Sequence, residues 1–233
     1  MSWIRRGWYW YLDYWFVGWW QVRHFVHGRD LGELATGDAA PVLLLPGVYE
    51  TWQFLRPVAQ RLHAAGHPIH VLSGLGYNRQ PIPDAAALAA RYLEERGLTG
   101  VVIVAHSKGG LIGKHIMAID DTDHRVDRMV AVATPFAGSL YAKYIPVRTI
   151  RVFSPADETI ARLGGNLAIN ARITSIYADF DPHIPGGSHL DGATNMQLPV
   201  IGHFRILRDA RVLDAVDAAV AAGGIPEESP TTS

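Results

Sequence analysis

The chain has 233 residues, 48% of them hydrophobic, and a formal net charge of −1: enough apolar material for one α/β domain, and no excess of positive charge to hold a nucleic acid. Cysteine is absent, which excludes a disulfide framework, a thiolate zinc site and a cysteine nucleophile.

The aromatic segment 1–30 carries six of the seven tryptophans within its first twenty residues (Trp3, Trp8, Trp10, Trp15, Trp19 and Trp20), interleaved with Tyr9, Tyr11, Tyr14 and Phe16. The run is short for a spanning helix and contains Asp13, and it lacks the aliphatic region and small-residue cleavage site of a secretory signal. Two readings stay open. Trp and Tyr favour the bilayer interface and Arg5, Arg6 and Arg23 flank them, so a helix through residues 3–20 can lie on a membrane; alternatively its aromatics pack on the domain body or a second subunit. The expected location is cytoplasmic, with peripheral membrane contact under the first reading.

From residue 37 to 223, strand and helix alternate, as in a mostly parallel sheet covered on both faces. After a turn at Gly37–Pro41, Val42–Leu45 reads as a buried strand and Pro46–Glu50 as a loop. Thr51 is placed to cap a helix carrying Trp52, Leu55, Val58, Ala59 and Leu62, ending at Gly66. Ile69–Leu72 is the next strand, followed by a Gly- and Pro-rich loop and an Ala-rich helix from Asp84 to Arg96. A strand at Val101–His106 and a helix to about Ile119 follow. Further strands are expected at Met129–Thr134, Ile173–Tyr177 and, briefly, Ala193–Met196, with a last helix from Phe204 to Ala221. Residues 224–233 are polar and Pro-containing and read as a disordered tail.

The most specific stretch is Val101-Val-Ile-Val-Ala-His-Ser-Lys-Gly-Gly110. An apolar β-branched run that breaks into a helix at Ser107 presents the hydroxyl on a sharp, strained turn, which requires small residues two positions before and after it. Ala105 and Gly109 satisfy that requirement, although Gly is the usual residue at the first position. The adjoining helix start supplies free N–H groups that favour a nearby negative charge. A plain helix-capping serine is the alternative. Lys108 can project toward a substrate entrance or sit exposed. Two other patterns fail: Lys108 stands where a phosphate loop needs its first glycine and His115 where it needs Ser or Thr, and Gly74-Leu-Gly76 lacks the third glycine of a dinucleotide fingerprint.

From Val42 to Leu213 the chain resembles the α/β-hydrolase superfamily, in particular the small lipases and esterases whose elbow reads Ala-His-Ser-x-Gly. The resemblance implies an α/β-hydrolase fold and a triad in the order nucleophile, acid, histidine. Ser107 is then the nucleophile. His203, in Ile201-Gly202-His203-Phe204 before the last helix, matches the family's base. Asp181, in Asp181-Pro-His-Ile-Pro185, matches the acid, with Asp179 the competitor. Leu45-Pro46-Gly47-Val48 stands at the family's oxyanion loop, with Pro46 in place of the histidine, and the implied donors are the backbone N–H groups of Val48 and Lys108. Asp179, Asp181, His183 and His189 cluster in sequence, but a loop cluster sets no coordination geometry, and no metal is expected.

Thr134-Pro135-Phe136-Ala137-Gly138-Ser139 resembles the step that precedes a lid in lipase-like hydrolases, which makes Phe136, Leu140 and Tyr141 candidates for an acyl pocket. The reading is a cofactor-independent serine hydrolase acting on a small-molecule or lipid ester. An acyltransferase or amidase using the same groups is the alternative, as is a catalytically silent module that binds partners at a membrane.

Overall fold

The computed structural model describes residues 31–139, 160, 162–163 and 167–223. The aromatic N-terminal segment, the tail at 224–233, Leu140 and Tyr141 lie outside the described residues.

Six parallel strands form one sheet in the order β2-β1-β3-β4-β5-β6: β1 (Val42–Leu45), β2 (Ile69–Val71), β3 (Val101–His106), β4 (Val126–Val132), β5 (Ile173–Phe180) and β6 (Thr194–Ile201). Every residue of β1 and β3 is buried, because these central strands have helices on both faces. Alternation sorts their side chains. Leu43, Leu45, Ile103 and Ala105 face α2 (Ile82–Glu95) and α3 (Lys108–His115). Val42, Leu44, Val102 and Val104 face α1 (Arg56–Ala64) and α4 (Ala210–Ala221). The chain leaves β1 toward β2 and returns on the other side at β3, so the strand order reverses between β1 and β3. A crevice outside the carboxyl ends of two strands at such a reversal is where open α/β sheets bind ligands.

Several element boundaries differ from the sequence expectation, each for a local reason. Thr51 is extended, but its side chain caps no N–H; its carbonyl accepts from Phe54 N–H at 3.1 Å, so a 3₁₀ turn over Trp52–Leu55 precedes α1. The helix before β3 begins at Ile82, two residues before Asp84, because Pro83 fits a first helical turn that needs no donor there. The α-helix after Ser107 ends at His115 and continues as a π-turn over Ile116–Asp120, closed by Asp121 N–H on the Ile116 carbonyl at 2.9 Å. β4 starts at Val126 rather than Met129, since the charged Asp127 and Arg128 pair with each other on the strand. β5 runs on to Phe180 across a register shift between Ala178 and Phe180. β6 is an eight-residue edge strand rather than the short piece at Ala193–Met196, and its Pro199 is a residue that an edge tolerates. The last helix is interrupted: a 3₁₀ turn over Arg205–Arg208 ends at Asp209, whose carboxylate accepts from Arg211 N–H and starts α4.

The approach of α3 to the sheet is set by glycine. A Cβ at Gly109 would stand 2.0 Å from the Leu45 carbonyl oxygen, and one at Gly113 would stand 2.5 Å from Met129 Sδ. The first neighbour is backbone and cannot swing away. Gly109→Ala is therefore expected to lower unfolding stability by at least about 1–3 kcal/mol, read by urea denaturation; a shift of a few tenths would show that α3 can lift from β1.

Candidate active site

Segments after β1, β3, β5 and β6 converge at the carboxyl end of the sheet. Ser107 lies between β3 and α3 with φ 50° and ψ −120°, the strained turn expected of a strand-to-helix elbow. A non-glycine residue held there costs on the order of 1–3 kcal/mol. The turn is pinned on both sides: Ser107 N–H donates to the Val132 carbonyl at 2.9 Å, and Gly110 N–H donates to the Ser107 carbonyl at 3.0 Å. The serine side chain caps no helix N–H, which removes the capping alternative.

Ser107 Oγ is 3.0 Å from His203 Nε2, and His203 Nδ1 is 2.7 Å from Asp181 Oδ2. The other Asp181 oxygen accepts the N–H groups of His183 at 2.8 Å and Ile184 at 3.0 Å, so a carboxylate after β5 is fixed by its own loop. Burial on its own would raise the Asp181 carboxyl, but the neighbouring His203, its hydrogen bond and the His183 N–H outweigh it and hold the group below the usual range. Asp179 is exposed, so of the two aspartates it is Asp181 that meets His203.

The His203 ring, 4% exposed, is walled by other rings. His106 lies at 4.9 Å, His183 at 5.0 Å, and Phe204 edge-on at 4.8 Å between centroids. Desolvation, and then the positive charge that His203 would carry, lower the His183 pKa to about 3, which keeps His183 neutral beside the site. His189 sits at the surface against Asp191, away from Asp181. Among the described residues no group of three or more His, Asp or Glu is arranged to hold a metal ion.

Gly47 N–H is taken by Glu50 Oε2 at 2.8 Å, whereas the Val48 and Lys108 N–H groups have no hydrogen-bond acceptor among the described residues. Both donors flank Ser107 in the fold, one after β1 and one at the first position of α3. The Lys108 side chain is neither exposed nor aimed at an entrance. It is 1% exposed, and its ammonium donates to the Asn78 carbonyl at 2.8 Å and to that of Gln80, closing the loop after β2. Desolvation lowers its pKa to about 8. Asn78 in turn donates to the Pro46 carbonyl at 2.7 Å, which ties that loop to the one after β1. Phe136 is buried on the α2/α3 side with the Lys114 ammonium 5.6 Å from its ring centre. Glu50 and His106, buried at the centre of the site, were not singled out by sequence; a carboxylate three residues after Gly47 is the only local signal, and its partner lies 56 residues away.

No protein-family model and no curated protein sequence matches the chain. Among solved structures it is similar to mature Bacillus licheniformis lipase BlEst2, with TM-score 0.62 and 15% identity over 84% of this chain and 94% of that one. It is also similar to the Paleococcus ferrophilus monoacylglycerol lipase, with TM-score 0.59 and 15% identity over 81% and 97% of the two chains. An extracellular α/β-hydrolase from a Paenibacillus species gives TM-score 0.56 and 15% identity over 80% and 99%. The chain therefore has the α/β-hydrolase fold.

The neutral His183 has a consequence for stability. Unfolded, a histidine titrates near 6.5; folded, His183 does so at about 3, so between those values the unfolded chain binds the extra proton. Its contribution is complete above about pH 6.5 and is lost as pH falls toward 3. His183→Phe, which keeps a ring in place, is expected to flatten the loss of stability across that window; an unchanged slope in pH-dependent thermal unfolding would contradict this.

Proposed function

We propose that this chain is a cofactor-independent serine hydrolase that cleaves carboxylic esters of the lipase or esterase type. The reading is carried by the unbroken hydrogen-bond chain from Ser107 through His203 to Asp181, with Ser107 on a left-handed elbow. Ser107 Oγ attacks the ester carbonyl as His203 Nε2 takes its proton, and Asp181 keeps Nδ1–H in place and stabilises the imidazolium. The N–H groups of Val48 and Lys108 donate to the oxyanion that forms, at the start of a helix whose dipole favours negative charge. His203 then protonates the leaving alcohol and an acyl-enzyme remains. Water, deprotonated by His203, attacks that acyl group, and the carboxylic acid departs as Ser107 regains its proton.

Two observations support an apolar acyl ester as the substrate class. Phe136 lies in the sequence step after β4 that resembles the approach to a lid in lipase-like hydrolases, and it belongs to the proposal on that ground. Two of the solved structures with similar folds are named as lipases. Leu140 and Tyr141 continue the same sequence step and belong to the proposal on that ground.

Labelling with a fluorophosphonate probe and turnover of p-nitrophenyl esters of increasing chain length test it. The wild type is expected to label and turn over, with Ser107→Ala unlabelled and slower by a factor on the order of 10⁴ or more. Equal labelling of Ser107→Ala would remove Ser107 from the reaction.

A further inference from the structure

A second carboxylate–histidine pair, Glu50 and His106, lies beside His203, and the triad does not use it. Glu50 is 2% exposed and His106 is 0% exposed. His106 Nδ1 is 2.9 Å from each Glu50 carboxylate oxygen, and Nε2 is 3.0 Å from the main-chain oxygen of His203. A carbonyl oxygen only accepts, so Nε2 carries a hydrogen. Were Nδ1 then bare, its lone pair would face a carboxylate at hydrogen-bonding distance in a site closed to water. One further proton therefore lies between Nδ1 and Glu50, and the pair is neutral as a unit whichever atom holds it. Glu50 Oε2 meanwhile accepts Gly47 N–H at 2.8 Å. The result is a continuous bridge from the peptide preceding Val48, through Glu50 and His106, to the backbone of His203.

The bridge spans the two loops whose separation the proposed reaction depends on. The sequence accommodates it at a further position: a Cβ at Gly47 would stand 2.7 Å from Glu50 Oε1, so the carboxylate occupies the space that a side chain there would need. Turning Gly47 N–H inward to Glu50 leaves the next N–H, that of Val48, as the free donor. We infer that Glu50 and His106 are a positioning pair, holding the Val48 amide and the His203 imidazole in register about Ser107 through one shared, buried proton. The inference builds on the reading of Ser107 as nucleophile for its kinetic consequence, and on hydrogen-bond geometry alone for the shared proton.

Glu50→Gln separates positioning from charge. Its amide oxygen can accept Gly47 N–H and its amide N–H can donate to a bare His106 Nδ1, so all three links survive without the extra proton. With p-nitrophenyl butyrate, Glu50→Ala is expected to lose about 10²-fold in kcat with KM within about threefold, the effect of a misplaced donor or base, and to label about 10²-fold more slowly with fluorophosphonate. Glu50→Gln should stay within about threefold of wild type. Folded Glu50→Ala with wild-type kcat, or Glu50→Gln as impaired as Glu50→Ala, would overturn the positioning role. Should Glu50→Ala not fold, proton NMR of histidine-labelled protein decides. A slowly exchanging, strongly downfield proton assigned to His106 is expected in wild type and in Ser107→Ala and is lost in Glu50→Gln; its absence from wild type overturns the pair. Ser107→Ala retains that signal whether or not the chain hydrolyses esters. Absence of Ser107-dependent turnover in wild type would instead defeat the hydrolase reading and the kinetic role together, while the resonance still decides the pairing.

Discussion

A serine forced to positive φ between a buried strand and a helix start constrains everything around it. The turn is strained by an amount that single hydrogen bonds barely offset, so it persists because its surroundings leave no other arrangement. β3 cannot slide, being fully buried between β1 and β4. α3 cannot withdraw without opening the contact at Gly109 and Gly113. With both arms fixed, the hydroxyl projects outside the sheet, and the β1, β5 and β6 loops need only meet it there.

Those loops are held by hydrogen bonds from polar groups taken out of water. Lys108, buried at the first position of α3, directs its ammonium to two carbonyls after β2, and Asn78 from the same loop reaches Pro46 after β1. Asp181 is fixed by two N–H groups of its own loop before it meets His203. Burying a polar group costs little only when its partners are in place, so each of these groups enforces one loop geometry. The rings of His106, His183 and Phe204 add steric walls around the base.

The sequence was most readable where the physics is local. The all-apolar runs of β1 and β3 show fully buried strands, and Ser107 with its small neighbours shows the elbow. His203 and Asp181 stood out by order along the chain and by resemblance to a family motif, and they are the two side chains found in line with Ser107. The extent of β6 was hidden because an edge strand mixes polar and apolar residues, and the start of β4 because paired Asp127 and Arg128 look like loop. Lys108 reads as surface in the sequence, because the burial of a long cation depends on carbonyls that only the fold brings to it. Glu50 and His106 stayed silent for the same reason: the worth of a buried acid depends on a partner 56 residues away.

The tight fit of Glu50 against Gly47 couples what the two positions tolerate. Any side chain at 47 is a clash while Glu50 stands, yet the space opens once the longer acid is gone. The two positions are thus coupled through one volume: a side chain at 47 needs the Glu50 carboxylate to move or to be absent. Effects of changes at such a pair do not add, so a scan of one position at a time would score Gly47 as intolerant and miss that Glu50 is the reason.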